Sequence, residues 1–266
     1  MSRAVVTDGC GCFPTGRHYA GIAHLLRAVA RGLVEEYGGD TAWNDIPIAL
    51  IDLETTGRDA SVDRVVEIGI VIARGGVIES RHNWLVHPGC PIPAEASAVH
   101  KITDGDVKDS PRFEAIAHEI AAALAVCVPA AYNAPFDRAF LLNEFARAGQ
   151  SQGDAARAAE GKLPPPFLRR DVEWLDPLVW AREVHSNEKS RALGDMAQLL
   201  GIKLENAHRA SDDAEAALLV LFALAKDARV PRIYGPLVSE QRRISIQHAD
   251  ARRRWRSNTT TRPGSA

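Results

Sequence analysis

Asp52 and Glu54 stand two residues apart at the end of a short apolar run, Ile48-Ala49-Leu50-Ile51-Asp52-Leu53-Glu54-Thr55-Thr56-Gly57. Pro47 and Gly57 bound the run, which reads as a buried strand. Strand side chains alternate faces, so both carboxylates point the same way. Like charges this close repel, and burying them costs more unless a cation lies between them. The plain alternative is a strand ending in solvent with ordinary surface acids. Thr55, Thr56 and Gly57 then carry the chain out of the sheet edge, where a ligand can approach.

Two further segments bring acids of the same kind. Asn133-Ala134-Pro135-Phe136-Asp137 reads as a strand-to-helix junction, with Asp137 in the first helical turn. An acid there also has an ordinary explanation, the helix dipole. In His208-Arg209-Ala210-Ser211-Asp212-Asp213-Ala214-Glu215, His208 and Asp213 lie five positions apart and are not neighbours on one helix face. A loop position for His208 and a first-turn position for Asp213 let both reach one point. Taken alone, His208 reads more readily as a satisfied loop histidine, and Asp212 as a helix cap. Taken together, an oxygen-rich cluster suits Mg²⁺ or Mn²⁺. Two such ions about 3.5–4 Å apart clamp the oxygens of an in-line phosphoryl displacement, and a near-neutral histidine suits the attacking water as base.

The elements that must position these residues alternate in type. Asp63–Ala73 and Val77–Val86 read as two more strands joined at Gly75-Gly76, a hairpin signal. Glu67, inside the second, is either buried with a partner or on an exposed face. A helix is expected from Ser110-Pro111-Arg112-Phe113-Glu114, with Pro at the first helical position, to about Val126. A short strand over Cys127–Asn133 and a helix over Pro135–Ala148 follow, the latter with Phe136, Phe140, Leu141 and Phe145 on one stripe. Gln150–Pro166 reads as a loop or insertion, Asp171–Asp176 as a last strand, and Pro177–Glu183, Ser190–Leu200 and Ser211–Ala225 as helices. Strands first, then alternating helix and strand, means an α/β domain with a mixed five-stranded sheet flanked by helices.

The ends differ from the middle. His18–Tyr37 has helical spacing (Ile22, Leu25, Leu26, Val29, Leu33, Val34) and reads as an amphipathic helix packing on the main domain. From Arg229 arginines cluster, among them Arg232, Arg242, Arg243, Arg252, Arg253, Arg254 and Arg256, as either a solvated helical tail or a phosphate-contacting arm. The expected organisation is an N-terminal extension over 1–45, a central domain over 46–228 and a basic extension over 229–266. With 266 residues, 46% hydrophobic and 25% charged, a packed core is feasible. Cys10, Cys12, Cys90 and Cys127 show no disulfide framework, and Cys10-Gly-Cys12 lacks the two-residue spacer of common zinc knuckles and a second pair nearby. No apolar run reaches about 18 residues and no basic-then-apolar leader is visible. A cytoplasmic protein without a membrane partner is expected.

The segments Asp52-Leu53-Glu54-Thr55-Thr56-Gly57, Asn133 to Asp137 and His208 to Asp213 resemble, in order and separation, the three motifs of the DnaQ-like 3′–5′ exonucleases, DEDDh branch. Val99-His100-Lys101-Ile102-Thr103 resembles that family's Val-His-Gly-Ile-Thr loop, with Lys101 at the glycine. The likeness spans about Ile46 to Ala225, and its Asp-Leu-Glu-Thr-Thr-Gly form looks more like proofreading exonucleases, of the type of the polymerase III epsilon subunit, than like the oligoribonucleases. It implies a ribonuclease H-like fold, with Asp52, Glu54, Asp137 and Asp213 holding two divalent cations (Mg²⁺ or Mn²⁺). His208 would be the base, and Thr55, Thr56, His100, Asn133 and Phe136 would contact substrate. The expected substrate is a single-stranded 3′ end, DNA in preference to RNA, cut to 5′-mononucleotides in proofreading or repair, and a DNA polymerase is one candidate partner. An RNA-trimming enzyme is the alternative within the class. A non-catalytic nucleic-acid-binding scaffold is the alternative outside it, but such a module has no physical need for mutually repelling carboxylates beside a phosphate.

Overall fold

The computed structural model describes residues 32–149, 164–204 and 209–260. Three strands open the sheet: β1 (Ile48–Thr55), β2 (Val65–Arg74) and β3 (Val77–Leu85). Two short helices, α1 (Ala94–His100) and α2 (Asp104–Val107), lead to α3 (Phe113–Ala123), the three-residue strand β4 (Val128–Ala130) and α4 (Ala134–Arg147). Helices α5 (Pro177–Val184), α6 (Leu193–Leu199), α7 (Ala210–Leu224) and α8 (Tyr234–Thr260) complete the order. The sheet runs β3-β2-β1-β4, with β1 antiparallel to β2 and parallel to β4. Gly75 (φ +62°) and Gly76 (φ +75°) make the hairpin turn, a pair of positive φ angles that glycine alone takes without cost.

Both faces of the sheet are covered. Leu50 and Val71 pack with Trp180, Leu218 and Leu221 on one face, while Ile51, Ile68 and Ile70 pack with Phe113, Phe140 and Phe145 on the other. Alternation along β1 therefore sends Asp52 and Glu54 to the face of Ile48 and Leu50, the one α7 covers. Near-continuous burial of β2 follows from its position between two strands and two helix layers.

The expected fifth strand is absent as a strand among the described residues. Asp171–Asp176 makes one parallel bridge, Ala130 to Leu175, and a second, Val172 to Gly32. β4 is too short to template more. Pro129 offers only its carbonyl, which takes the Leu175 N–H (2.9 Å), while the Glu173 N–H turns away to the Gly32 carbonyl (2.8 Å). A second difference is at α3, whose N-cap is Arg112, so Pro111 lies before the helix rather than at its first position. The Pro111 carbonyl is held by the His87 N–H (2.9 Å), which fixes the entry. α3 also ends at Ala123, three residues short of Val126.

Most of the expected His18–Tyr37 helix lies outside the described residues, as does 150–163 of the Gln150–Pro166 insertion. The described end, from Gly32, is not helical, and Leu33 and Val34 enter the core. There the Val34 N–H donates to the Tyr234 hydroxyl (3.2 Å). α8 places Tyr234, Leu237, Val238, Gln241 and Ile244 on one buried stripe. Among the described residues, no helix is long and apolar enough to cross a membrane.

Candidate active site

β4 pairs with β1 only over Ile48–Leu50, and there the sheet parts. Beyond the split, β1 still has backbone donors facing the β4 side, and the Leu53 N–H is taken by Asp137 Oδ1 (3.1 Å). Asp137 is buried in the first turn of α4, four residues after Asn133, which takes a left-handed φ of +71°. This turn is pinned by Asp176, the N-cap of α5. Its carboxylate accepts the N–H groups of Asn133 (3.0 Å), Ala134 (3.2 Å) and Leu178 (2.9 Å). Gln241 of α8 completes the clamp, accepting the Asp176 N–H (2.8 Å) and donating to the Trp174 carbonyl (2.9 Å).

On the other side of β1, the ladder sets Asp52 opposite Gly69 and Glu54 opposite Glu67. A Cβ at Gly69 would overlap the backbone of Ala210 and Ser211, so glycine lets the start of α7 press onto the sheet beside Asp52. Glu67 is fully buried and compensated: it accepts from Arg209 Nη2 (2.7 Å) and Nε (3.1 Å), Asn83 Nδ2 (3.0 Å) and the Ala210 N–H (3.2 Å). These contacts fix the first turn of α7. Arg209 is its N-cap, so Asp212 is a first-turn acid and not the cap.

Asp52, Glu54 and Asp213 are brought together as a result, each offering a carboxylate oxygen, with all three oxygens within 4.8 Å of one another. Asp137 stands behind them, outside that set but within electrostatic reach of Asp52. Burial, then Asp137, Asp213 and Glu54, raises Asp52 well above the ordinary carboxylate range. Burial, then Asp213 and Glu67, pushes Glu54 up to about 8. Burial also raises Asp137, against the backbone N–H groups it accepts. Three converging oxygens whose charges repel are a fit donor set for a hard divalent cation, which would reverse those shifts.

A cavity of about 430 Å³ opens beside the acids, lined by Glu54, Thr55, Thr56, His100 and Phe136 among others. Thr55 Oγ1 donates to the Gly57 carbonyl (2.5 Å) and Thr56 Oγ1 accepts the Arg64 N–H (2.9 Å), so both hydroxyls brace the loop leaving β1. His100 is buried at the end of α1, its Nδ1 accepting the Ile102 N–H (3.1 Å). Lys101 follows at φ +63°, a left-handed C-cap where glycine is usual. Asn133 lies instead against a second cavity, with Tyr132, Arg182 and Arg191. His208 falls outside the described residues.

Sequence reasoning left Glu67 undecided and passed over Gly69, Asp176 and Gln241. Glu67 carried a signal, a lone carboxylate in an apolar strand, but its partner lies 142 residues away. Residues 49–221 match the family model described as exonuclease, RNase_T. The chain is 28% identical over 184 residues to the Staphylococcus aureus (strain USA300) protein named 3′-5′ exonuclease DinG, covering 69% of this chain and 19% of that one. It thus spans about a fifth of the length of the curated relatives it matches. Its fold is shared with E. coli exonuclease I solved with a dT13 oligonucleotide (TM-score 0.56, 19% identity, 69% of this chain and 42% of that one). It is shared too with exonuclease X solved with 5′ overhanging duplex DNA (TM-score 0.52, 22% identity, 73% and 98%).

Proposed function

The chain belongs to this exonuclease family, and from that premise we propose that it hydrolyses the terminal phosphodiester of a single-stranded 3′ end, releasing 5′-mononucleotides. The observation that carries the reading is the convergence of Asp52, Glu54 and Asp213 within 4.8 Å, with Asp137 behind them. Asp52, Glu54 and Asp213 would hold two divalent ions, Mg²⁺ or Mn²⁺, with Asp137 supporting the second directly or through water. When bound, such ions stabilise developing charge on the phosphoryl oxygens and make a bound water acidic. His208, five residues before Asp213 in the chain, would take the proton of the attacking water. Thr55, Thr56, His100 and Phe136 would hold the last nucleotide in the cavity beside Glu54, and Asn133 would meet the strand behind it.

DNA is the favoured polymer, in keeping with the Asp-Leu-Glu-Thr-Thr-Gly form of the first motif and with the oligonucleotides bound by the proteins of like fold. Residues 46–228 would form the exonuclease unit, with 1–45 and 229–266 as extensions through which a DNA polymerase is one partner to test. Digestion of matched 3′- and 5′-labelled single-stranded DNA and RNA, with Mg²⁺, Mn²⁺ or EDTA, tests this. Metal-dependent release of mononucleotides from the 3′ end, faster on DNA, is expected. Internal cuts, release from the 5′ end or activity in EDTA would overturn the reading.

A further inference from the structure

We infer that Arg182, Arg191 and Arg252 form a second binding site, for the backbone phosphates of the single strand upstream of the cleaved end. The inference rests on the exonuclease reading for the direction of the strand, but the binding site itself is argued from the residues. Arg182, on α5, and Arg191, in the loop before α6, line a cavity of about 420 Å³ with Tyr132 and Asn133. Asn133, in its lining, begins the turn that carries Asp137, while Phe136 and His100 line the other cavity, beside Glu54. α8 packs against α5 and brings Arg252 and His248 into electrostatic reach of Arg182.

The grouping is not background charge, because the chain as a whole is slightly acidic, at −2. Nor is it a feature of α8 in general. Arg242 pairs with Glu173, Arg243 with Glu240 and Arg253 with Asp250. By contrast, none of Arg182, Arg191 and Arg252 has an ion-pair partner among the described residues. Arg191 spends two N–H groups on the carbonyls of His185 and Ser186, which orients its fork and leaves three donors. Arg182 is half-buried and makes no hydrogen bond among the described residues. Burial and then Arg252 press its guanidinium below its ordinary pKa, and burial and then Arg182 do the same to His248. The acids in reach make no ion pair with these arginines: Asp176 acts on Arg182 but holds three backbone N–H groups, Asp195 acts on Tyr132 of the same lining, and Glu183 acts on His248.

Guanidinium groups gathered without a direct ion pair suit an external anion, and their planar forks suit phosphate oxygens. A strand whose last nucleotide fills the cavity at Phe136 would cross the acids and meet these arginines with its next few phosphates. Such contacts position without reading sequence, and each adds to the salt dependence of binding.

The test uses the full chain carrying Asp52→Ala, so that bound strands stay intact, and labelled oligonucleotides of two and ten nucleotides. Affinity is read by fluorescence anisotropy across a salt series, beside Arg182→Gln, Arg191→Gln, Arg252→Gln and their combination, with melting temperatures to confirm folding. The expected result is that the ten-nucleotide strand loses most of its advantage over the two-nucleotide one in the combined variant. Its salt slope should fall by about 2, at about 0.7 per lost single-strand contact, and lysine at the three positions should restore most of the slope. Unchanged length dependence and slope would overturn the proposal, as would equal losses in Arg243→Gln with Arg253→Gln. So would loss of competition by inorganic phosphate alone, with length dependence intact, since that marks a free-phosphate site. If wild type cuts no nucleic acid but keeps length-dependent binding that the combined variant lacks, the exonuclease reading fails and this assignment stands.

Discussion

Asp52 and Gly69 face each other across the β1–β2 ladder, and the missing side chain at Gly69 is the space into which Ala210 and Ser211 of α7 fit. The distance between a strand carboxylate and a helix carboxylate is thus set by an absence. Gly69→Ala must push α7 outward, because the atoms it meets are backbone and cannot rotate aside. Overpacking of this kind costs about 1–3 kcal/mol, and Asp213 moves with the helix. The variant should melt lower and need more Mn²⁺ for half-maximal nucleotide release. An unchanged metal requirement would show that α7 is positioned by something else.

Glu67 holds the same turn by charge. Removing one partner of a buried ion pair costs about 3–5 kcal/mol, but Arg209 is half-exposed, and solvent screening lowers this to about 2 kcal/mol for Glu67→Ala. Glu67→Gln keeps the shape and can still accept the Ala210 N–H, so it should lose less stability. Chemical denaturation of both variants checks the order, and equal losses would mean that the hydrogen bond to α7 contributes nothing.

The strand acids, the hairpin at Gly75-Gly76 and the helix carrying Asp137 were legible because each is written in local periodicity and spacing. The fifth strand was not, because Asp171–Asp176 has strand composition while the number of bridges it makes depends on how short β4 is. Nor was the role of Asp176. It looks like an ordinary helix cap, and its other work, holding Asn133 and answering to Gln241 at a separation of 65 residues, exists only in three dimensions. The arginines after Arg229 read as one block, but packing pairs Arg242, Arg243 and Arg253 with acids and sets Arg252 within electrostatic reach of Arg182.

Lys101 occupies a left-handed C-cap, a conformation that costs a residue with a Cβ about 1 kcal/mol relative to glycine. Lys101→Gly should therefore raise stability by about 1 kcal/mol, with the neighbouring His100 undisturbed. A lower melting temperature would show that the bond from Lys101 Nζ to the Ala98 carbonyl outweighs the strain.

The acids also predict a pH dependence. Glu54 titrates near 4.5 in an unfolded chain and about 8 in the folded, metal-free protein. Between those values the folded state keeps a proton that the unfolded chain releases. That contribution to stability is complete below about 4.5 and lost as pH rises through about 8. Asp52 and Asp137 are shifted in the same direction. Without metal, the melting temperature should fall across this window. Mg²⁺, which binds the deprotonated acids, should raise it more at the alkaline end than at the acid end. A flat metal-free profile would contradict the shifts.

The most direct test of the acidic centre is Mn²⁺ titration calorimetry on the full chain beside Asp52→Asn, with nucleotide release measured on the same samples. Wild type should bind Mn²⁺ and shorten a single strand from its 3′ end. Asp52→Asn, relieved of one repelling charge, should melt no lower without metal, yet lose both binding and release. Metal binding of wild-type strength with continued 3′ release in that variant would contradict the assignment of Asp52, Glu54 and Asp213 as the reacting centre.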